Sequence, residues 1–552
     1  MTGRTGTPAR QRSTLRQATW NAVARVLVLG LNAVSGVLVA RALLPEGRGV
    51  TALVIATATT TIALGYLSVE QSHVRLWAGR RDEILANSVL LGPAVGILAA
   101  LGAALLLWAG TRFGITIASP ELLAMALASV PAGITALYLN GALTLDAQIA
   151  LVTRSMLYVA LLQFGATALL AVGGWLTPGW VVAIWSASSA SALLVLLARE
   201  RPRLRCWNPA LAWQAISLGM RFHPGSAALN LALRLDVFIL GALTSPAAVG
   251  LYALAVTVGG FARIPAEAVR GAFLSRQAEG ELVDAVEATT RATRISTLLA
   301  AVSVGGLCAT APVLIPLAYG AAFAGSVQAM YALGPGLFLM HAGRQIGAYL
   351  IRCDRPLVVS AFPAVALALN IALNLVLIPR WGIVGCALAA SVSYATLTLA
   401  QVVRFCRMAG VGWRRLVPGA AETAMLRKLL LTSTGRMLCR STGRNRSTGR
   451  NRRFPAAAGT AGRRAWRSGA AVPPEDELVA AQVAAAGGEV GQLEAPVPDE
   501  PEDLLRPRHL ERVAADPVDE VVAPGHAPAD RSGRKLAGHD ELEELPERNS
   551  PV

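Results

Sequence analysis

VARALLPEGRG, residues 39–49, ends one apolar run at a Pro-Glu-Gly-Arg-Gly turn and opens another. A weaker echo, GALTSPAAVG, stands at residues 241–250. Pro45 and Pro246 are 201 residues apart, and so are Gly49 and Gly250. The same offset relates Arg75 to Arg276, Ala52-Leu53 to Ala253-Leu254, Arg154 to Arg355, Pro178 to Pro379 and Trp180 to Trp381. Alanine and leucine align easily by chance in an apolar chain, so the proline, tryptophan and glycine matches carry the inference. Proline ends a helix, and glycine lets the backbone reverse in a short hairpin. The expectation is a duplicated chain whose turn repeats because the half-molecule repeats.

The runs beside these turns are membrane-length. The 552 residues are 54% hydrophobic and only 15% charged, where a soluble chain is about a quarter charged. Apolar stretches long enough for a bilayer core of roughly 30 Å recur at 18–40, 50–67, 84–109, 119–139, 155–173, 179–198, 224–244, 250–268, 295–317, 328–347, 356–377 and 382–403. Each is too long and too continuously apolar for a barrel strand, so helices are the expected spanning element. The expected fold is all-α: a polytopic membrane protein of twelve transmembrane helices in two six-helix bundles. Six spans separate matched residues, so both copies have the same sidedness and form a parallel repeat. No cleaved leader is expected, because the first run lacks a small-residue cleavage site.

Arginine sets the orientation. Residues 1–410 hold 29 Arg, no Lys and 14 acids. With a cytoplasmic N-terminus, the inside segments carry 23 of these arginines, the outside loops four (Arg41, Arg48, Arg112 and Arg380), and two (Arg25 and Arg234) lie within spans. That bias follows the positive-inside rule and fixes both termini as cytoplasmic.

The expected organisation is a short cytoplasmic segment (1–16), a first bundle (17–200), a linker (201–223), a second bundle (224–405) and a tail (406–552). The tail repeats Ser-Thr-Gly-Arg three times within 433–453, then turns Ala-, Pro- and acid-rich with almost no aromatics. Such a composition buries too little apolar surface to fold, so disorder is expected. A shifted reading frame of GC-rich DNA gives the same bias. The tail's basic part suits anionic lipid heads or nonspecific nucleic-acid contact; no specific nucleic-acid partner is expected. The six cysteines are scattered, without CxxC spacing or a histidine cluster, so neither a metal nor another cofactor is expected.

The stretch RQATWNAVARVLVLGLNAVSGVLVARALLPEGRGVTALV (16–54) resembles the start of polysaccharide flippases of the O-antigen and teichoic-acid type. These share a superfamily with the MATE multidrug exporters and the lipid II flippases. The resemblance continues through RLDVFILGALTSPAAVGLYALA (234–255), with its intramembrane Asp and following G-x-Y. It runs on through APVLIPLAYGAAFAGS (311–326) and LNLVLIPRWGIVGCALA (373–389), and fails beyond about residue 405. It implies a bacterial plasma-membrane carrier that moves a polyprenyl-diphosphate-linked glycan from the cytoplasmic to the outer leaflet. It also implies partner enzymes, a glycan polymerase or glycosyltransferases.

Ionisable residues inside spans are expensive and are functional candidates by default. Arg25 suits a diphosphate, because guanidinium is a permanent planar fork matched to phosphate oxygens; the competing reading is snorkelling to the surface. Arg234 and Asp236 lie near the middle of span 7, two residues apart and so pointing apart on a helix. Either each finds a partner on another span, or Arg234 meets anionic substrate and Asp236 carries a coupling ion, H+ or Na+. His341 and Arg344, three apart on span 10, share a face near the cytoplasmic end, where snorkelling competes with substrate contact. Asn21 and Asn32 on span 1 suit either a sugar or interhelical packing. Span 1 offers a cation and no acid, which favours an anionic lipid over a cationic drug. The alternatives are a MATE-like cation-coupled exporter using Asp236 and a polyprenyl-phosphate glycosyltransferase. The outside loops are nearly acid-free, which disfavours the enzyme, and no Gly-rich phosphate loop suggests an ATP-driven pump.

Overall fold

A computed structural model describes residues 8–424, apart from 115, 280–281, 354–355 and 421. The expected disorder of the tail falls mostly on residues 425–552, outside the described residues, as do Cys439 and the Arg154–Arg355 match. Among the described residues every regular element is helical. Among these residues eight helices are long and apolar enough to cross a membrane, and a ninth span is a pair bent by 42°. Two of the eight fold back on themselves: Pro8–Gly65 breaks at Leu44, and Pro356–Ala409 breaks at Gly382. With each divided, and with the 17-residue helix Ser326–Ala342, the spans number twelve, in the order expected from hydropathy.

Proline and the residue before it punctuate the spans. Leu44 has φ 57° and ψ −179°, a strained conformation for a branched residue, immediately before Pro45. Elsewhere proline opens a helix behind a capping side chain. Thr177 accepts from the Trp180 amide ahead of Pro178, Ser245 from the Ala248 amide ahead of Pro246, and Asn208 from the Leu211 amide ahead of Pro209.

The first six spans pack round apolar cores that include Val54, Ile134, Tyr138 and Val182 at one level and Ile84, Leu139, Leu143 and Leu196 at another. The last six surround a larger core with Leu240, Tyr252, Phe323, Met330 and Tyr394. Much of the outer surface is large apolar side chains, such as Leu106, Trp108, Leu169 and Trp175. Among helices that face hydrocarbon this is the expected surface.

The two echoed turns meet each other. A Cβ built on Gly49 would lie 1.7 Å from the Pro246 carbonyl oxygen, and one on Gly250 would lie 1.9 Å from the Pro45 carbonyl oxygen. The contact is reciprocal. Spans 2 and 8 cross at their first turns so closely that only glycine fits at either site. Nearby, Arg41 of the first half donates from Nε to the Ala318 carbonyl (2.8 Å) and from Nη2 to the Leu317 carbonyl (2.6 Å) of span 9. These are orphan carbonyls at a helix C-terminus, where a cation is also favoured by the dipole.

At the opposite, arginine-rich end, Arg81 joins three helices of the first half. Its guanidinium donates to Asp146 (2.7 Å) and Glu200 (2.8 Å). The Arg81 hydrogen bond, aided by Gln148, holds the Asp146 carboxyl below its ordinary value. Beyond Ala409 the chain stays against the body. Leu416 is buried beside Ile346, Tyr349 and Phe405, and Arg294 donates to the Arg415 carbonyl. The first residues of the expected tail are thus packed, with Val411 and Leu416 supplying apolar side chains to bury.

Two predictions follow from these contacts. Gly49→Ala or Gly250→Ala forces the two hairpin ends apart, at a cost of about 1–3 kcal/mol by overpacking. Thermal unfolding in detergent should show a lowered midpoint for each, with no such loss for Gly305→Ala, whose Cβ meets nothing within 4 Å. Asp146 is the depressed-pKa case, so its contribution is present above the ordinary carboxylate pKa and fades as pH falls through the native value. Asp146→Asn should flatten the acid side of the stability–pH curve and leave the neutral side lower than wild type.

Candidate functional site

Span 7 is not one straight helix. Pro209–Ala232 stops at Leu233, and Leu235–Leu243 restarts behind Arg234, whose φ of −135° and ψ of −22° are non-helical. The break, not helical periodicity, separates Arg234 from Asp236. Arg234 leaves its own half and donates to the Thr59 hydroxyl of span 2 at 2.5 Å. It is half-buried at the seam between the halves, and its partner is a hydroxyl and not a carboxylate.

Asp236 turns the other way, into the core of the second half. It is 1% exposed. The Tyr252 hydroxyl and the Val237 amide donate to its carboxylate, and the Cys386 thiol donates to its carbonyl at 3.7 Å. The Asp and the G-x-Y tyrosine of the 234–255 stretch are thus joined side chain to side chain. Arg234 and Asp236 share a break but not a site.

On span 1, Arg25 and Asn21 are half-buried, and the Asn21 Oδ1 is buried without a hydrogen-bond partner. Asn32 is exposed. Arg25 is five residues deeper than Thr59 along the hairpin, and Asn21 four residues deeper again. Asn32 points out of the packed interior.

His341 and Arg344 are not on one continuous helix, because span 10 breaks at Gly343. His341 is 1% exposed, with neither ring nitrogen hydrogen-bonded. Arg344 pairs with Glu267 of span 8, and Arg270 reaches the same carboxylate at 3.1 Å. Gln345 donates to the Ala266 carbonyl (3.0 Å) and the Ser296 hydroxyl (2.8 Å). Arg344 therefore does not snorkel. It neutralises a buried acid between spans 8, 9 and 10. Glu267, which the sequence does not single out, is the buried acid that Arg344 and Arg270 share; Arg263, Glu267 and Arg270 stand at the end of span 8. Their i, i+4, i+7 spacing at the end of span 8 was the signal that they share a face.

Among the described residues no cluster of His, Cys, Asp and Glu could hold a metal ion. Breaking the Glu267 pair has a defined cost. Glu267→Ala leaves two partly buried arginines without their acid, and loss of one partner of a buried pair costs about 3–5 kcal/mol. Arg344 keeps 31% of its side chain exposed, so the low end is expected. The thermal midpoint should fall clearly in Glu267→Ala and recover in part in Glu267→Ala combined with Arg344→Met.

Comparison with known proteins places this geometry. Residues 14–263 match the family described as polysaccharide biosynthesis protein. No curated protein gives a significant sequence match. Among solved structures, the lipid II flippase MurJ in an inward closed conformation superposes with a TM-score of 0.56 at 13% identity, covering 75% of this chain and 92% of that one. A mutant of the Vibrio cholerae MATE transporter VcmN superposes with a TM-score of 0.50 at 14% identity, covering 72% and 96%. At such identities the likeness is one of fold. The stretch that carries Arg25, Arg234 and Asp236 lies within the match to the polysaccharide-biosynthesis family, and the whole has the fold of a multi-pass helical membrane protein, like that of the lipid II flippase and MATE structures.

Proposed function

We propose that this protein carries a polyprenyl-diphosphate-linked oligosaccharide from the cytoplasmic to the outer leaflet of a bacterial plasma membrane by alternating access. The observation that carries the reading is Arg234. A permanent cation sits half-buried where the halves meet, bonded to a hydroxyl rather than to a carboxylate. Arg25 on the facing span adds a second cation, and Asn21 adds an unpartnered amide oxygen able to accept from a sugar hydroxyl. Guanidinium binds phosphate oxygens in a bidentate way, which suits a diphosphate better than a cationic drug. The arginine-rich loops put both termini in the cytoplasm. The protein acts as a carrier and not as an enzyme, and it hands its product to a glycan polymerase or glycosyltransferase partner.

His341 and Arg344 take a structural part in this reading, since Glu267 occupies Arg344. Asp236, shut in the second half's core with Tyr252, is the residue we assign to the coupling ion, H+ or Na+, rather than to substrate. That same buried carboxylate favours the second reading, a MATE-like cation-coupled exporter.

The test is the leaflet location of lipid-linked oligosaccharide in cells depleted of the protein and resupplied with the full chain. Wild type should clear the cytoplasmic pool. Arg234→Ala should clear it roughly ten- to hundredfold more slowly, from the loss of about 1.5–3 kcal/mol of charge-assisted hydrogen bonding. An unchanged pool on depletion, together with drug sensitivity that appears with Asp236→Asn, would establish the exporter instead.

A further inference from the structure

Arg48 was counted among the loop arginines, yet it is buried. It is 9% exposed, at the start of span 2, one residue before the Gly49 crossing. Its Nη1 donates to the Gly36 carbonyl of span 1 at 3.1 Å. Its Nε is buried and has no hydrogen-bond partner. Tyr319, at the end of span 9 in the other half, lies near enough for its hydroxyl and the guanidinium to influence each other electrostatically. A cation of this kind, away from any carboxylate partner and with a donor unspent, is costly to keep in an apolar setting.

Its depth relates it to the other seam arginines. Counted from the Leu44–Pro45 turn at about 1.5 Å per residue, the Arg48 head at Gly36 lies about 12 Å into the bundle, Arg234 at Thr59 about 21 Å, and Arg25 about 29 Å. By this count the three lie at successive depths about 8–9 Å apart along spans 1 and 2. Above them Arg41 ties the first half to the end of span 9. Arg234 already bridges the halves, and Arg48 sits directly beneath their closest contact.

We propose that Arg48 is the outer rung of an arginine ladder: it takes a phosphate-bearing head from Arg234 as the hairpin ends part. While the ends are closed, the Gly36 carbonyl holds the guanidinium in place. When Gly49 and Gly250 separate and Arg41 releases span 9, the unspent Nε–H and the Nη2–H beside it become a fork facing the seam, while Nη1 keeps the Gly36 carbonyl. The ligand class is an organic phosphate or diphosphate. A neutral glycan head would gain nothing from such a series. The inference rests on the flippase reading and deepens it.

The test uses the full chain in phospholipid vesicles and a short-chain fluorescent polyprenyl diphosphate, with dithionite quenching to read leaflet transfer. Arg48→Gln should lower kcat for transfer about tenfold or more while KM stays within about twofold, because the entry rungs are intact. Arg48→Lys keeps the charge and should retain at least about half of the wild-type rate. If wild type moves no probe, the flippase reading falls and takes the ladder with it. If wild type moves the probe and Arg48→Gln matches its kcat, only the ladder falls. If Gln and Lys variants slow equally, with equally lowered thermal midpoints, Arg48 is a packing residue and the proposal is overturned.

Discussion

The structure turns on one contact: the backbone crossing of spans 2 and 8, where Gly49 faces the Pro246 carbonyl and Gly250 faces the Pro45 carbonyl. Two helices can approach this closely in a membrane only if no side chain intervenes, and small residues at helix crossings are the general device for it. Here the device is used symmetrically. Each half supplies a proline that starts the helix and, four residues on, a glycine that admits the other half's proline carbonyl. The 201-residue echo is therefore more than a mark of duplication. The two copies of the turn are each other's docking surface. With Arg41 on the end of span 9, they close one end of the molecule.

Below that closure, three buried charges are divided: Arg234 lies at the seam, and Asp236 and Glu267 lie in the second half. This division follows from the cost of charge in hydrocarbon. Arg234 is tolerated because the helix breaks at it and delivers it to a hydroxyl on the other half. Asp236 is tolerated because a tyrosine, an amide and the core of six spans surround it. Glu267 is tolerated because two arginines share its charge. The helix breaks at Leu233–Arg234 and at Gly343 lie beside these groups. Interrupted spans in carriers gather where backbone and charge must be handled together.

The fold was legible because membrane crossing is a length constraint, which hydropathy reads directly. The sharpest signals were Pro45, Gly49, Pro246 and Gly250, residues whose backbone behaviour is distinctive enough to survive when leucine and alanine matches mean little. Arg234 and Asp236 were also legible as intramembrane charges. Their separate destinations were not, since both follow from one kink that no local pattern announces. Arg344 looked like a snorkelling residue because its partner, Glu267, is 77 residues earlier in the sequence. Arg48 looked like loop charge because it belongs to a turn. Only the packing of the halves makes that turn an interior. Long-range pairing was the information that periodicity and composition lack.

The central claim is that the two echoed turns hold the halves shut and part when the carrier works. A distance measurement across them tests it most directly. Spin labels at Glu46→Cys and Ala247→Cys, positions related by the same 201-residue offset, would be read by double electron–electron resonance in a cysteine-free full chain. A single short distance should be seen without substrate, and a second, longer population should appear when a polyprenyl diphosphate is added. One unchanged short distance at saturating lipid, in protein shown to transport it, would contradict the claim.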